Sequence, residues 1–243
     1  MGVGRLAKAP GDRISRILSA LLLAQTSDPV VTRQLCLASV ELLVTAAAAV
    51  VVMDESQQGE TICASNDLAE KLTELEFALG EGPGSDSHRF GHPVLEPDLR
   101  RPKASRWPGF AGEAIQLGIR AAFAFPLQLG AIRLGALTIY CAEPGDLGTE
   151  RMRDSLAMAR ISTQAILALQ AEAPSGTLHP DLTTISSGRP VVHQATGMIA
   201  AQLRVPIGEA FVRLQARAYA ESRPIRSVAT DVVGRRLRFD DSK

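Results

Sequence analysis

Two β-rich runs separated by a very short turn constrain the fold of this chain more than any other feature. They cover residues 121–129 and 132–141, and only Gly130 and Ala131 lie between them. A two-residue connection joins neighbouring strands as an antiparallel hairpin, because parallel strands need a long crossover. The sequence therefore predicts an antiparallel sheet in the body of the chain.

Further strands and several helices are predicted around this hairpin. The apolar run 46–53 and residues 61–64, with a turn around Gly59, predict a second hairpin. Glycine and proline interrupt residues 80–109, which predicts a long structured loop with one short strand near 93–96. Apolar residues at helical spacing predict helices over 14–25, 30–44, 66–77, 110–118 and 149–171.

The last quarter of the chain has a different charge from the rest. Residues 189–243 contain ten basic and five acidic side chains, a net charge of +5, whereas residues 1–188 carry −5. Such asymmetry indicates an anionic partner for the tail, and nucleic acid is the commonest one. Helices are predicted over 190–203, 206–221 and 224–237, each with proline at its first position. Three short helices are near the lower size limit of an independent fold, so the tail is expected to lean on a second copy or on the body.

The bulk composition is that of an ordinary globular protein. Hydrophobic residues make up 46% of the chain and charged residues 21%, which excludes a disordered chain. The longest apolar run, 46–53, is too short to span a bilayer, and the N-terminal residues lack the apolar stretch of a signal peptide. We therefore expect a cytoplasmic protein without a membrane partner.

No pattern of catalytic or metal-binding residues emerges. Cys36, Cys63 and Cys141 are odd in number and lie in apolar patterns, which favours free buried thiols. His88 and His92 are four residues apart but have no third ligand nearby, which predicts an incidental pair and no metal. Paired carboxylates for acid–base chemistry would have to be Glu81 and Asp86, and nothing places a substrate beside them. We expect no enzymatic activity and no cofactor.

Two motifs in the body resemble the GAF family of small-molecule sensor domains. They are LGEGPG at 79–84 and RWPGF at 106–110, the latter followed by the predicted hairpin with GIRAAFAFPL at 118–127. The resemblance covers about residues 13–172 and implies an α+β fold, an α/β/α sandwich with an antiparallel sheet. It also implies a ligand pocket under the irregular loops. Its candidate lining residues are Glu81, Gly82, Trp107 and Phe110, although the last two are favoured as loop anchors over the core. Relatives often carry cysteine at the position of Gly84, so no thiol chemistry is assigned to this loop.

The tail resembles the ANTAR domain, an RNA-binding antitermination module with an all-α three-helix fold. The matching residues are QATGMI at 194–199, EAF at 209–211, and the apolar positions Leu214, Ala218, Ile225, Val228, Ala229, Val232 and Val233. The resemblance covers about residues 189–239. It implies binding to RNA stem-loops in nascent mRNA leaders, so that a terminator does not form. Thr196 stands where many members have lysine, which removes one charge from the expected RNA surface.

Candidate RNA-binding residues follow from these patterns. Gly197 inside a helix indicates either close packing between the first and third tail helices, which is favoured, or a bare backbone patch for RNA. Phe211 is expected in the core, whereas Tyr219 is equally compatible with base stacking and with a solvent position. The candidates are Gln194, Thr196, Gly197, Arg204, Arg213, Arg217, Arg226 and Arg235. Within this set, Arg213 and Arg217 can also pair with Glu209 and Glu221 one helical turn away.

The expected organisation has five segments. The N-terminal tail covers 1–12, the GAF-like domain 13–172, the linker 173–188, the ANTAR-like domain 189–239 and the C-terminal tail 240–243. A homodimer is expected, in which an apolar stripe of the helix over 149–171 pairs with its copy. Three alternatives stay open: a DNA-binding regulator, a GAF-type sensor whose tail mediates only protein association, and a GAF-type reductase that uses Cys63 and Cys141.

Overall fold

The computed structural model describes residues 30–54, 59–101, 106–171 and 189–239. The predicted helix over 14–25, both chain termini and the whole linker over 173–188 lie outside these residues. We call the described residues up to 171 the body and residues 189–239 the tail. The body contains α1 (Val30–Leu43), β1 (Ala47–Met53), β2 (Gly59–Ala64), α2 (Asp67–Leu79), α3 (Pro83–Phe90), β3 (Val94–Glu96), α4 (Pro108–Gln116), β4 (Ala121–Leu129), β5 (Ile132–Cys141) and α5 (Gly148–Ala171). The tail contains α6 (Arg189–Leu203), α7 (Ile207–Ala220) and α8 (Ile225–Val233).

The body is built on a five-stranded sheet with the strand order β2-β1-β5-β4-β3. All neighbouring strands are antiparallel, and both predicted hairpins, β1–β2 and β4–β5, are present. Gly130 adopts a positive φ in the β4–β5 turn, as a two-residue hairpin requires. The short strand predicted near 93–96 is β3, which pairs with the outer edge of β4.

Side chains alternate between the two faces of the sheet, and each face belongs to a separate core. On β4, Phe123, Phe125 and Leu127 lie under α1 and α5, whereas Ala122 and Ala124 face α2 and α4. Successive strand residues point to opposite faces, so bulky residues fill one layer and small ones let the helices of the other layer approach closely. The result is the expected α/β/α sandwich.

Helix α3 corrects the prediction of a continuous loop over 80–109. Pro83 stands in its first turn, where the missing N–H costs nothing, and Gly91 ends it with a φ of 69°. Two of its first N–H groups, those of Gly84 and Ser85, donate to the Glu76 carboxylate at 2.9 and 3.1 Å. That acceptor lies on the preceding helix, so the local sequence shows only the glycine and proline that resemble a loop.

The cysteine prediction is wrong for two of the three residues. Cys36 on α1 and Cys63 on β2 form a disulfide, with their Cα atoms 6.1 Å apart. They meet because α1 packs across β2, a contact that a separation of 27 residues conceals in the sequence. Cys141 is a free, partly buried thiol, and burial raises its pKa.

The apolar stripe of helix α5 is not available for pairing with a second copy of the chain. Met152, Ile166 and Leu169 pack into the core beneath the sheet, and Ala159 is buried there too. Only Leu156 of the stripe is exposed, at 42%. The predicted pairing surface is therefore used inside the protein, where it covers the phenylalanine layer of β4.

The three tail helices enclose a core of their own. It includes Ile199 from α6, Leu214 from α7 and Val228 from α8, all fully buried. Helix α8 ends at Val233, four residues before the predicted end, because Arg235 turns the backbone to a φ of 57°. In the described parts of the chain, we find no helix with the length and hydropathy needed to cross a membrane.

The close approach of β1 and β5 gives a first prediction. A Cβ at Gly135 would lie 1.9 Å from the Val51 carbonyl oxygen, and backbone atoms cannot move aside as a side chain can. We expect Gly135→Ala to lower the free energy of unfolding by about 3 kcal/mol, measured by urea denaturation.

The matched control is Gly112→Ala on α4, where a Cβ would meet nothing within 4 Å. A helical glycine replaced by alanine should leave the free energy unchanged or raise it by up to about 1 kcal/mol. Equal stability of the two variants would contradict the strand register described here.

Candidate functional site

The tail is attached to the body through a buried arginine at the start of α6. Arg189 is 2% exposed, and its guanidinium donates to Thr61 Oγ1 at 2.9 Å and to the Gly59 carbonyl oxygen. It forms an ion pair with Glu74 at 3.0 Å and lies 4.4 Å from the centre of the Phe77 ring. A buried charge needs such a complete set of partners, since losing one leaves it desolvated and unpaired. The first residue of the tail therefore belongs structurally to the body.

Helix α2 and helix α7 extend this contact. Gln215 donates its side-chain amide to the Phe77 carbonyl oxygen at 2.6 Å, and the rings of Phe77 and Phe211 lie 5.1 Å apart. A Cβ at Gly80 would lie 2.8 Å from the Gln215 side chain, so glycine permits this approach. Phe77, although part of α2, packs into the core of the tail. The sequence left open whether the tail leans on a second copy of the chain or on the body. The structure shows that it packs against the body.

A cavity of about 290 Å³ lies at this junction, with walls from both parts of the chain. The body contributes Val51, Met53, Gly59, Thr73, Glu76, Phe77, Gly80, Gly84, Ser85, Arg89 and Thr138, and the tail contributes Arg189, Gly208, Phe211, Val212 and Gln215. None of the four residues predicted to line a pocket is among them.

Two of the predicted pocket residues have structural roles at helix ends. The Glu81 carboxylate accepts the backbone N–H groups of Gly109 and Phe110 at 2.7 and 2.9 Å, which caps the N-terminus of α4. Gly82 is buried and precedes α3 with a φ of 150°, a conformation that L residues rarely adopt. The motif that resembles the sensor family thus fixes helix geometry in this chain.

The two aromatic candidates are core residues. Trp107 is 1% exposed and Phe110 is fully buried, with their rings 6.2 Å apart in an edge-to-face arrangement. The Trp107 Nε1–H donates to Asp86 at 2.9 Å, which satisfies its polar atom. Their placement agrees with the favoured interpretation as loop anchors, and neither side chain lines the cavity at the junction.

Glu76 is an acidic residue of the cavity wall that is not among the predicted site residues. Besides capping α3, it accepts the Tyr140 hydroxyl at 3.0 Å. Burial raises its pKa to about 7, although the bonds from Ser85, Tyr140 and Gly84 act in the opposite direction. Its position one turn after Leu72, on the buried side of α2, was the available signal.

Four of the nine tail arginines pair with acidic residues of the tail itself. Arg213 meets Glu209 at 2.7 Å, and Arg217 meets Glu221, both within α7. Two more arginines, Arg223 and Arg236, share Asp231. The exposed side chains of Arg204, Arg226, Arg235 and Arg238 form no ion pair within the described part of the chain.

Some of these exposed arginines lie near one end of the tail. The backbone N–H of Phe239 donates to the Gln202 side chain at 3.0 Å, so the end of α6 lies beside the segment that follows α8. This contact brings the neighbourhood of Arg204 close to that of Arg235 and Arg238.

The candidates on α6 divide into exposed and buried residues. Gln194 and Gly197 are exposed, and a Cβ at Gly197 would meet nothing within 4 Å, so the favoured packing role of this glycine is wrong. Thr196 is fully buried and its hydroxyl donates to the Val192 carbonyl oxygen at 2.8 Å. Thr196 is therefore removed from the RNA-contact set, because it lies on the inner side of the helix.

The buried carboxyl gives a second prediction. A carboxyl whose pKa is raised on folding, here from 4.5 to about 7, stabilises the protein fully below its unfolded pKa and loses that contribution as pH rises through the folded pKa. Glu76→Gln removes this titration and keeps an acceptor for the α3 amides. We expect its free energy of unfolding, relative to wild type, to rise by about 3 kcal/mol between about pH 4.5 and pH 8.

Urea denaturation across this pH range makes the comparison, with Glu113→Gln at an exposed position of α4 as the control. The difference between this control and wild type should stay constant. If the difference in the free energy of unfolding between Glu76→Gln and wild type were also independent of pH, the carboxyl would not be buried as described.

Comparisons with known proteins agree with this two-part structure. Residues 181–233 match the family model of the ANTAR domain. The GAF domain of a phosphoenolpyruvate-protein phosphotransferase from Acinetobacter superposes with a TM-score of 0.55 at 13% identity, over 70% of this chain and 99% of that domain. The corresponding domain from Coxiella burnetii gives 0.53 at 16% identity, over 67% and 95%.

A domain of a putative two-component sensor histidine kinase from Sinorhizobium meliloti superposes with a TM-score of 0.50 at 20% identity, over 61% of this chain and 97% of that domain. No curated protein matches the chain significantly. At these identities the structural likeness shows the fold of the body, while the family model identifies the tail. The chain therefore joins a body of the GAF fold to a C-terminal ANTAR domain.

Proposed function

We propose that this protein is a signal-responsive, RNA-binding regulator of transcription antitermination. In this proposal the ANTAR domain binds stem-loops in nascent mRNA leaders and prevents a terminator from forming, while the GAF body responds to a small ligand or a partner. The ANTAR match over residues 181–233 is the observation that carries the proposal. A role on nascent transcripts also implies a cytoplasmic protein.

The RNA surface is proposed to centre on the exposed arginines without ion pairs. Arg204, Arg226 and Arg235 can neutralise phosphates and stack on unpaired loop bases without first breaking an ion pair to any described residue. Gln194 and the bare backbone at Gly197 add hydrogen-bonding groups on α6.

Two further candidates, Arg213 and Arg217, are proposed as secondary contacts. Their pairs with Glu209 and Glu221 are exposed and lie within one helix. Such pairs are worth only about 0.2–0.5 kcal/mol, so a phosphate can replace them at small cost.

We do not propose an enzyme. A reductase based on cysteine needs an accessible thiol of lowered pKa. Cys63 is held in a buried disulfide, and burial raises the pKa of Cys141, so neither residue supports that alternative. Homodimer formation stays a prediction, without the α5 stripe as its surface.

Removing the three central charges tests the RNA surface. We expect the triple variant Arg204→Gln, Arg226→Gln and Arg235→Gln to bind RNA at least about tenfold more weakly at a fixed salt concentration. The slope of log affinity against log salt should fall by about two, since each lost phosphate contact to single-stranded RNA removes about 0.7. Fluorescence anisotropy with a two-hairpin RNA, recovered by crosslinking to the protein in cells, measures both quantities.

The control carries three exposed arginines of the body changed in the same way, Arg33→Gln, Arg153→Gln and Arg160→Gln. Its affinity and salt slope should equal those of wild type. Equal losses in both triple variants, or tighter binding of wild type to duplex DNA than to the RNA at the same salt, would contradict the proposal.

A further inference from the structure

The cavity at the junction of the two domains is incomplete in either domain alone. Its floor is formed by β1, α2 and α3 of the body, and Phe211, Val212 and Gln215 of α7 close one side. If the ANTAR domain moved away, those three side chains would leave and the remaining wall would be an open surface. Whatever occupies the cavity therefore contacts both domains at once.

The wall of the cavity combines apolar and hydrogen-bonding groups. Val51, Met53 and Phe77 from the body face Phe211 and Val212 from the tail, which suits a small hydrocarbon group. The hydroxyls of Thr73, Ser85 and Thr138 and the amide of Gln215 add polar atoms. The volume of about 290 Å³ lies just below the roughly 300–1000 Å³ typical of small-molecule sites, so the occupant must be compact.

The ionisable groups of the wall favour an anion. They are the guanidinium groups of Arg89 and Arg189 and the carboxyl of Glu76. Arg133 lies next to them, since its guanidinium donates to the Arg89 carbonyl oxygen. The donors of Arg189 are already used by Gly59, Thr61 and Glu74, so Arg89, which is exposed, is the guanidinium that a bound anion would meet.

Glu76 can become neutral without leaving its hydrogen bonds. Its pKa of about 7 means that one proton taken up near neutral pH removes its charge. Asp86, the other acid that acts on Glu76, is engaged by Trp107 at 2.9 Å and by Arg106 at 3.8 Å. The wall then presents guanidinium charge together with an apolar surface.

We propose that this cavity binds a small organic anion that carries an apolar group, a compact carboxylate, and that the site is complete only when the ANTAR domain is docked on the body. The inference rests on the proposed function in one respect, since the bound carboxylate would be the signal passed to the RNA-binding domain. A ligand that binds only the docked arrangement stabilises it by mass action. By linkage, RNA that prefers one arrangement changes the affinity for the carboxylate by the same factor as the carboxylate changes the affinity for RNA.

Titration of the full ¹⁵N-labelled chain, without RNA, tests the site. The probes are benzoate, phenylacetate and 3-methylbutanoate, each compared with its primary amide. We expect at least one carboxylate to bind at least about tenfold more tightly than its amide, because only the carboxylate gains from a charge-assisted bond with the guanidinium of Arg89. The backbone signals of α3 and of α7 should shift in the same titration with the same dissociation constant.

Two tryptophan substitutions on α7 separate the cavity from the rest of the surface. Val212 lines the cavity and is 59% exposed, whereas Ile207 does not line it and is 57% exposed. We expect Val212→Trp to weaken carboxylate binding at least about tenfold by filling the mouth, and Ile207→Trp to leave it unchanged. Arg89→Gln, a change at an exposed side chain, should reduce the preference for carboxylate over amide.

The proposal is overturned if none of the three carboxylates binds at millimolar concentration, if the amides bind equally well, or if the two tryptophan variants behave alike. Shifts confined to the body would also overturn it, because they would place the site within one domain. Since the titration contains no RNA, its failure leaves the RNA-binding proposal standing, and a failure of RNA binding leaves this result unaffected.

Discussion

The burial of Arg189 is the interaction on which the arrangement of this protein depends. A guanidinium cannot leave water unless its donors find acceptors, and those of Arg189 find them on β2 and α2 of the body. Removing one partner of such a buried charge typically costs about 3–5 kcal/mol, and the exposed position of Glu74 reduces that figure here. The first residue of the tail therefore holds the tail in one place on the body.

The docked arrangement explains why the protein has a cavity at this position. Phe77 serves two cores at once, since α2 belongs to the body while its phenylalanine packs among the tail helices. Gly80 and Gln215 keep the two helices close, and the space that remains between α2, α3 and α7 is the cavity. A change in the occupant of this space would thus act directly on the contact that positions the ANTAR domain.

Much of the fold could be predicted from the sequence, because it depends on local patterns. The hairpin over 121–141, the helix over 149–171 and the three tail helices follow from periodicity and from turn residues. Helix α3 and the Cys36–Cys63 disulfide could not be predicted, since each depends on a contact between segments far apart in the chain. The three-helix core of the tail could be predicted from the sequence, but the position of the tail on the body could not.

The candidate site was less predictable for the same reason. Arg189 contributes to the positive charge of the tail, which points to RNA, yet its side chain is turned into the body. Glu81, Trp107 and Phe110 are conspicuous in the motifs and have structural roles, whereas Glu76 is an ordinary helical glutamate in the sequence and becomes part of the cavity wall. Composition reveals the charge of a segment, and only the fold reveals which charges face solvent.

A distance measurement between the two domains tests the docked arrangement most directly. Spin labels at cysteines introduced at Lys71 on α2 and Ala216 on α7, both exposed, report the separation when Cys141 is replaced by serine. We expect one narrow distance distribution by double electron–electron resonance, which Arg189→Gln broadens. A broad distribution in the protein with Arg189 intact, unchanged by Arg189→Gln, would contradict the docked arrangement.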